Sequence, residues 1–171
     1  MSLRLLYFLL LPLTFLTACN PGEQSPAVIL PADTWFSITI EDVPLQVQLA
    51  ISPGEQQKGL MYRDTLMENG GMVFSYKKPQ QMSFWMANTR IPLDIGIFNG
   101  EGLLLEIHRL VPFDTRAVKS RSRTAQFAIE TNPGWYAANG LFPGSKIHMQ
   151  SLVEALEARG ANPAEYGITQ S

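Results

Sequence analysis

Residues 84–98 read FWMANTRIPLDIGIF, in which two apolar runs flank a short polar segment. Pro92 disfavours a helical conformation at Ile91 and has no N–H group to donate to a neighbouring strand. We therefore predict a bend over residues 88–91 that leads into a strand over residues 93–98. This order of strand, bend and strand indicates a β fold, and the rest of the chain agrees with it.

The strand predicted over residues 93–98 contains a charged residue. Successive side chains point to opposite faces of a strand. One face carries Asp94, Gly96 and Phe98, and the other carries Leu93, Ile95 and Ile97. A buried carboxylate is costly unless it accepts hydrogen bonds, pairs with a cation or takes up a proton. We expect Asp94 to brace the bend through hydrogen bonds from its backbone N–H groups or from the side chains of Asn88 and Thr89. Arg90 is the local candidate for a cationic partner, and Arg63 is a distant one.

Alternating apolar and polar residues also predict strands elsewhere in the chain. These further strands are expected at residues 36–40, 45–51, 72–76, 82–87, 103–110, 125–130 and 146–149. About eight short strands in a chain of 171 residues are typical of one all-β domain. The predicted fold is a compact, mainly β domain, either a β-sandwich or a small barrel.

Two short helices have recognisable start signals. The sequence SPGE at residues 52–55 combines a serine N-cap, a proline at the first helical position and a capping-box glutamate, which predicts a helix over residues 53–60. The sequence SLVE at residues 151–154 repeats the serine–glutamate pair and predicts a helix over residues 152–159. Residues 161–171 follow this helix, and we expect them to fray.

The N-terminus has the pattern of a lipoprotein signal. Arg4 precedes an apolar run of signal-peptide length, and the single cysteine of the chain, Cys19, follows it. The sequence LTAC at residues 16–19 resembles the bacterial lipobox, so we expect residues 1–18 to be removed and Cys19 to be acylated. Asn20 follows the cysteine, a position where aspartate is associated with inner-membrane retention. We therefore expect the outer membrane, with the protein facing the periplasm.

The expected organisation is an acylated tether over residues 19–34 and a single β domain over residues 35–160. The tether contains three prolines, which favour an extended spacer between the membrane and the domain. No thiol would remain for a disulfide or a thiolate metal site, because Cys19 is the only cysteine. The net charge of −2 gives no bulk attraction to nucleic acid. No phosphate-binding glycine motif is present, and we predict no cofactor.

Five short motifs occur in a defined order along the chain. They read GLMYR at 59–63, GMVF at 71–74, FWMANTRIPLDI at 84–95, AIE at 128–130 and GLFPGSKI at 140–147. Together they resemble the bacterial and archaeal family called domain of unknown function 192, over roughly residues 43–150. The resemblance implies a compact, mainly β domain of sandwich or barrel type, and it implies no established reaction.

The chain departs from the family pattern at three positions. Ala87 stands where a lysine is common, Gly96 where a larger apolar residue is common, and Ser145 where an aspartate is common. Any role that depends on that lysine or that aspartate does not carry over to this chain.

Several residues of these motifs could line one polar pocket, with Trp85 as its apolar wall. The candidates are Arg63, Trp85, Asn88, Thr89, Asp94 and Glu130. Two carboxylates that flank a glycosidic bond at a separation of about 5–10 Å could hydrolyse it by acid–base chemistry. Asp94 and Glu130 are the pair for such a reaction. Alternatively, Asp94 has only a structural role and Glu130 faces water.

Metal sites have weaker signals, and we predict none. Glu106 and His108 lie two residues apart on a predicted strand and could begin a metal site if His148 joined them from another strand. A solvated pair at a sheet edge is the simpler interpretation. Methionine can bind Cu(I). However, core packing is its ordinary use, and three methionines lie in apolar motifs: Met61, Met72 and Met86.

The segment at residues 111–124 is basic. It contains three arginines and a lysine, against Asp114 as its only acid. A solvated loop is the simplest interpretation. The alternative is a contact with lipid phosphate or a cell-wall carboxylate, since arginine forks suit both groups.

Three functions are open at this point. The first is a noncatalytic, membrane-anchored envelope lipoprotein that binds a small molecule, a glycan or a protein through the region of Trp85, Asp94 and Arg63. The second is a hydrolase of a cell-wall polymer that uses Asp94 and Glu130. The third is a structural or assembly domain without a site. The chain has no G-x-S-x-G nucleophile motif, and no confident catalytic residue is identified, which favours a binding function.

Overall fold

The computed structural model of the protein describes residues 28–168. The predicted signal peptide over residues 1–18, the predicted acylation site Cys19 and the start of the predicted tether lie outside the described residues. The strands are β1 (Phe36–Ile40), β2 (Val43–Ala50), β3 (Gly70–Gln80), β4 (Ser83–Phe84), β5 (Leu93–Asn99), β6 (Leu104–Leu110), β7 (Val118–Lys119) and β8 (Ala125–Thr131). The helices are α1 (Pro53–Lys58), α2 (Trp135–Ala138), α3 (Met149–Ala158) and a 3-10 helix (Pro163–Tyr166).

Six of the strands form one sheet in the order β1-β2-β3-β8-β5-β6. The β2–β3 pair is parallel, and the other four pairs are antiparallel. The remaining strands, β4 and β7, form a separate antiparallel pair. The predicted mainly β fold is confirmed, because the described residues hold eight strands and short helices. The large sheet is not closed into a barrel, and the architecture is sandwich-like.

Both faces of the large sheet are covered, so its central strands are buried on two sides. The α3-side core lies against α2, α3 and the 3-10 helix, and it includes Ile38, Val47, Phe98, Phe127, Tyr136 and Leu156. The β4-side core lies against the segment before β5, and it includes Leu60, Met72, Phe74, Phe84, Met86 and Ile95. The strands of the sheet separate the two cores. A side chain on a central strand therefore belongs to one core or the other according to the parity of its position.

The segment of residues 144–148 holds the two edges of the large sheet together at one end. Ile147 forms an isolated bridge to Ile40 of β1, and Lys146 forms one to Leu103, just before β6. This segment was predicted as part of a strand over residues 146–149. That prediction is wrong, since only two isolated bridges form and α3 begins at Met149. The local backbone divides its hydrogen bonds between two edges, and so it does not follow either one.

The helix predicted near residues 53–60 is confirmed as α1. Ser52 accepts a hydrogen bond from the backbone N–H of Glu55, and the Glu55 carboxylate accepts one from the backbone N–H of Ser52. The second capping box was not correct. α3 has His148 at its N-cap, and the Ser151 hydroxyl donates to the carbonyl of His148 instead. The sequence predicted neither β7 nor α2, which have only two and four residues.

The two ends of the described chain pack on the β domain. The backbone N–H of Leu30 donates to the carbonyl of Ala158 over 2.8 Å, so this part of the predicted tether lies against α3. The expected fraying of residues 161–171 is wrong for residues 163–166, where the 3-10 helix buries Pro163 and Tyr166. Within residues 28–168, no helix has both the length and the apolar character needed to cross a membrane.

Candidate functional site

A cavity of about 220 Å³ opens between α1 and the β4-side face of the large sheet. Four aromatic residues line it, namely Phe74, Tyr76, Phe84 and Trp85. The end of α1 and the GLM sequence at residues 59–61 form another wall, and Thr89 of the bend also contributes. Glu130 lies on the sheet side of this cavity. We call this cavity the Glu130 pocket.

Glu130 reaches the pocket because of its position on β8. It pairs with Met72 of β3 on one side and with Ile95 of β5 on the other. Directly paired residues point to the same face of a sheet. The Glu130 side chain therefore lies in the β4-side core, between two apolar neighbours, and only 5% of its surface is exposed.

The carboxyl group of Glu130 is buried within the electrostatic reach of Arg63 and Tyr76. Among residues 28–168, it accepts no hydrogen bond and forms no ion pair. Burial raises the pKa of the Glu130 carboxyl to about 8, and the positive charge of Arg63 opposes this rise only in part. Tyr76 is close enough that burial, together with the negative charge of Glu130, raises the pKa of its phenol. A buried, unpaired carboxyl group beside a cavity is typical of a functional site.

Arg63 lies beside the pocket, and its guanidinium contacts groups other than Glu130. Its guanidinium donates to the side-chain oxygen of Gln48 and stands 5.9 Å from the ring centre of Trp35. Burial lowers the pKa of Arg63, and the negative charge of Glu130 opposes this effect. Arg63 lines a smaller cavity of about 110 Å³, which shares Lys58 and Gly59 with the Glu130 pocket. The positive charge of Arg63 therefore acts on the Glu130 carboxyl from beyond ion-pair distance.

The predicted bend over residues 88–91 is present and shapes the rim of the pocket. Asn88 has a positive φ of 58°, and its carbonyl accepts a hydrogen bond from the N–H of Tyr62, whose φ is also positive at 65°. Thr89 is buried, and its N–H donates to the carbonyl of Met86. This hydrogen bond joins the loop that contains Tyr62 to the bend that contains Asn88. Trp85 lies at the rim of the pocket, where 50% of its surface is exposed. Asn88 lines an adjoining groove that shares Trp85 with the pocket.

Asp94 does not belong to this pocket. It pairs with Thr131 of β8, the residue after Glu130, so its side chain points to the opposite face of the sheet. There it accepts a hydrogen bond of 2.6 Å from the N–H of Gly134, at the start of α2. The predicted carboxylate pair of Asp94 and Glu130 is wrong, because the sheet lies between the two carboxyl groups.

The predicted partners of Asp94 were also wrong. Its cationic neighbour is Arg109, which lies directly opposite it on β6 with 3.4 Å between Nε and Oδ1. Arg90 instead pairs with Asp64 over 2.7 Å at the surface. Asp94 therefore braces α2 and the β5–β6 pair, and not the bend before β5.

Glu106 and His108 bind each other, with 2.8 Å between Oε2 and Nε2. The Glu106 carboxylate also accepts hydrogen bonds from the backbone N–H groups of Arg121 and Ser122. Burial raises its pKa, but these bonds and His108 outweigh that effect and lower it. Glu106 therefore anchors the end of the basic segment. In the described part of the chain, no three His, Cys, Asp or Glu side chains are grouped as for a metal.

Of the predicted site residues, the structure brings Trp85, Thr89 and Glu130 together in one pocket, places Asn88 and Arg63 beside it, and excludes Asp94. The sequence did not identify four further pocket residues, namely Gln56 and Lys58 of α1 and the aromatic residues Phe74 and Tyr76. Phe74 lies in a family motif, so the motif signal was available. The motif could not show that the Phe74 side chain points into a cavity, because this depends on the pairing of β3 with β8.

The solved structures that are similar to this chain include two bacterial proteins. One is a protein of Sinorhizobium meliloti 1021, provisionally named a transcription regulator, with 29% identity, a TM-score of 0.61 and coverage of 67% of this chain and 91% of that one. The other is a protein of unknown function from Novosphingobium aromaticivorans DSM 12444, with 30% identity, a TM-score of 0.61 and coverage of 74% and 94%. A comparison with curated proteins finds no match.

The profile of the DUF192 family, described as Uncharacterized ACR, matches residues 36–149. This range contains all five motifs, the complete six-stranded sheet and the residues that line the Glu130 pocket. The resemblance expected from the motifs is thereby confirmed over two thirds of the chain. The chain belongs to DUF192, a family without an assigned biochemical function.

Proposed function

We propose that this protein is a noncatalytic binding protein that holds a small ligand, or one end of a larger ligand, in the Glu130 pocket. The observation that carries this proposal is the buried carboxyl of Glu130, which lines a cavity and has no hydrogen-bond partner among residues 28–168. Leaving a polar group buried and unpaired costs free energy. A ligand that pairs with this group would recover part of that cost.

The size and lining of the pocket limit the ligand. Ligand pockets usually measure about 300–1,000 Å³. A cavity of about 220 Å³ is smaller and suits a group of a few non-hydrogen atoms. The exposed ring of Trp85 lies at the opening, where a longer ligand could continue into the adjoining groove beside Asn88.

The two alternative functions have less support from this geometry. Hydrolysis by two carboxylates requires both groups to flank the same substrate bond. Asp94 and Glu130 point to opposite faces of the sheet, so the sheet itself lies between them. A structural domain without a site predicts no cavity at the bend of residues 88–91. The Glu130 pocket lies at that bend and includes Trp85 and Thr89.

A ligand screen tests the binding function. We expect at least one compound from a set of small amines, sugars, organic acids and alcohols to raise the Tm of the full chain in nonionic detergent. The same compound should change the fluorescence of Trp85, which lies at the pocket rim. Trp85→Ala should remove most of the Tm increase, whereas the matched control Phe142→Ala, which removes another exposed aromatic ring, should keep it. Stabilisation that survives Trp85→Ala, or no stabilisation by any compound, would contradict the proposal.

We further propose that the protein is a cell-envelope lipoprotein, anchored through acylated Cys19 and facing the periplasm from the outer membrane. The signal pattern and the lone cysteine at residues 1–19 support this localisation. In cells fed labelled palmitate, the wild-type protein should carry the label and fractionate with membranes. Cys19→Ala should carry no label. Label that persists in Cys19→Ala would exclude this anchor.

A further inference from the structure

We propose that the ligand of the Glu130 pocket is a small organic cation, such as an alkylammonium group, that pairs with the Glu130 carboxylate and contacts the surrounding aromatic rings. This inference rests on the binding function proposed above and adds the chemical class of the ligand. Three features of the pocket point to this class of ligand: the carboxyl group, the aromatic walls and the cations already present.

The first step is that Glu130 has room for a counterion. Its side chain is more than nine-tenths buried, lines the cavity, and is without a hydrogen bond or ion pair from any part of residues 28–168. A buried charge that has lost water is strongly attracted to an opposite charge placed next to it. An anionic ligand would instead be repelled by the carboxylate.

The second step is that aromatic rings surround the space beside Glu130. Phe74 and Phe84 stand edge to face with 5.3 Å between their ring centres, and Tyr76 and Trp85 line the same cavity. The faces of aromatic rings attract cations because the π electrons give them a partial negative charge. Rings combined with a carboxylate form the arrangement that proteins use to bind ammonium groups.

The third step is that the nearby cations do not occupy this space. Arg63 lines the neighbouring cavity, where its guanidinium donates to Gln48 and lies over the ring of Trp35. Lys58 of α1 lines the cavity and is exposed to water. Besides Glu130 and Lys58, the cavity wall carries one more titratable group, the phenol of Tyr76. On the other face of the sheet, burial raises the pKa of Tyr136, and the negative charge of Glu130 contributes to this rise.

Binding of a cation should release one proton. Burial holds the pKa of Glu130 at about 8, so at pH 7 the free pocket contains mostly the neutral acid. The ammonium group keeps its own protons, and the Glu130 carboxyl loses its proton to solvent as the ion pair forms. The affinity should therefore rise roughly tenfold per pH unit below pH 8. A ligand that accepts a hydrogen bond from the neutral acid would show the opposite dependence.

The test uses three probes with the same carbon chain and different charge: n-butylammonium, n-butanol and butyrate. We expect only n-butylammonium to raise the Tm of the full chain and to bind in calorimetry, with a Kd that falls about tenfold from pH 6.5 to pH 7.5. Glu130→Gln should weaken its binding at least tenfold. The matched control Glu154→Gln, which changes an exposed glutamate on α3, should leave binding unchanged.

The outcomes separate this inference from the proposed function. The cation inference is overturned if n-butanol or butyrate stabilises the protein as well as n-butylammonium does, if n-butylammonium still stabilises Glu130→Gln, or if its affinity falls as the pH rises. It is also overturned if none of the three probes binds. In these cases the proposed function stands if another compound of the wider screen stabilises the protein in a way that Trp85→Ala abolishes, and it fails with the inference if no compound does.

Discussion

Glu130 shows how one side chain can lower the stability of a fold at neutral pH. The unfolded chain ionises this carboxyl near its ordinary pKa of 4.5, whereas burial raises the pKa of the folded form to about 8. Between these two values the folded protein binds more protons than the unfolded protein. The free energy of unfolding therefore falls as the pH rises through this window.

We predict that Glu130→Gln removes this dependence. Glutamine cannot ionise, so the variant and the wild type should be similarly stable near pH 4, and the variant should be the more stable form at pH 8. The difference should grow by up to about 1.4 kcal/mol per pH unit within the window. Urea unfolding at a series of pH values measures it. Glu154→Gln serves as the control, and an equal pH dependence in Glu130→Gln and wild type would contradict the burial argument.

Asp94 differs from Glu130, because its buried carboxylate accepts a hydrogen bond. It accepts a hydrogen bond from the N–H of Gly134 and lies 3.4 Å from Nε of Arg109, whose side chain is mostly exposed. An ion pair with an exposed partner contributes about 0–1 kcal/mol. The bond to Gly134 should therefore be the more important of the two.

We predict that Asp94→Ala lowers the free energy of unfolding by about 1–3 kcal/mol, because it leaves the N–H of Gly134 without its acceptor. Asp94→Asn keeps an acceptor oxygen and should cost less. Both variants should bind pocket ligands with the wild-type Kd, since Asp94 lies on the other face of the sheet. Chemical denaturation and calorimetry check the two parts. A loss of affinity in folded Asp94→Asn would place this residue in the site after all.

At the scale of elements, α2 packs closely on β5 because position 96 of β5 is a glycine. A Cβ atom at position 96 would lie 2.6 Å from Cζ of Tyr136 and would overlap its phenol. Tyr136 of α2 is fully buried and donates to the carbonyl of Ile129 on β8 over 2.8 Å. The absent side chain at position 96 therefore lets α2 pack closely on the sheet.

We predict that Gly96→Ala lowers the free energy of unfolding by about 1–3 kcal/mol, as in other overpacked cores. Gly54→Ala is the matched control. Position 54 lies in α1 with open space around it, so alanine there should leave stability unchanged or raise it by up to about 1 kcal/mol. Thermal unfolding of both variants measures the difference. A Gly96→Ala variant as stable as the wild type would show that Tyr136 can move aside at little cost.

Elements with strong local signals were predictable from the sequence. The strand predicted at residues 93–98 and the capping box of α1 depend on neighbouring residues, and both are confirmed. β7 and α2 were missed because two or four residues carry too little periodicity. In the site, Trp85, Thr89 and Glu130 were found because they belong to motifs. The side of the sheet that each carboxyl faces depends on the register between β5 and β8, which local sequence does not determine.

At the scale of the whole molecule, one sheet supports two cores on its opposite faces. The pocket belongs to the β4-side core, and the segment of residues 144–148 joins both edges of the sheet on the way into α3. Ile147 in this segment is 2% exposed and belongs to the α3-side core. Because the central strands are shared, damage to one core should weaken the other.

We predict that Ile147→Ala lowers the stability of the whole domain by about 2–5 kcal/mol, the usual cost of truncating a buried isoleucine. The test uses a background of Trp35→Phe and Trp135→Phe, in which Trp85 alone reports fluorescence from the pocket. Urea unfolding followed by this fluorescence and by far-UV circular dichroism should give coincident transitions, shifted equally by Ile147→Ala. The exposed Ile29→Ala is the control and should shift neither by more than about 0.5 kcal/mol. If the fluorescence transition stayed in place while the dichroism transition moved, the pocket would unfold independently of the α3-side core, and ligand binding could not stabilise the domain as a whole.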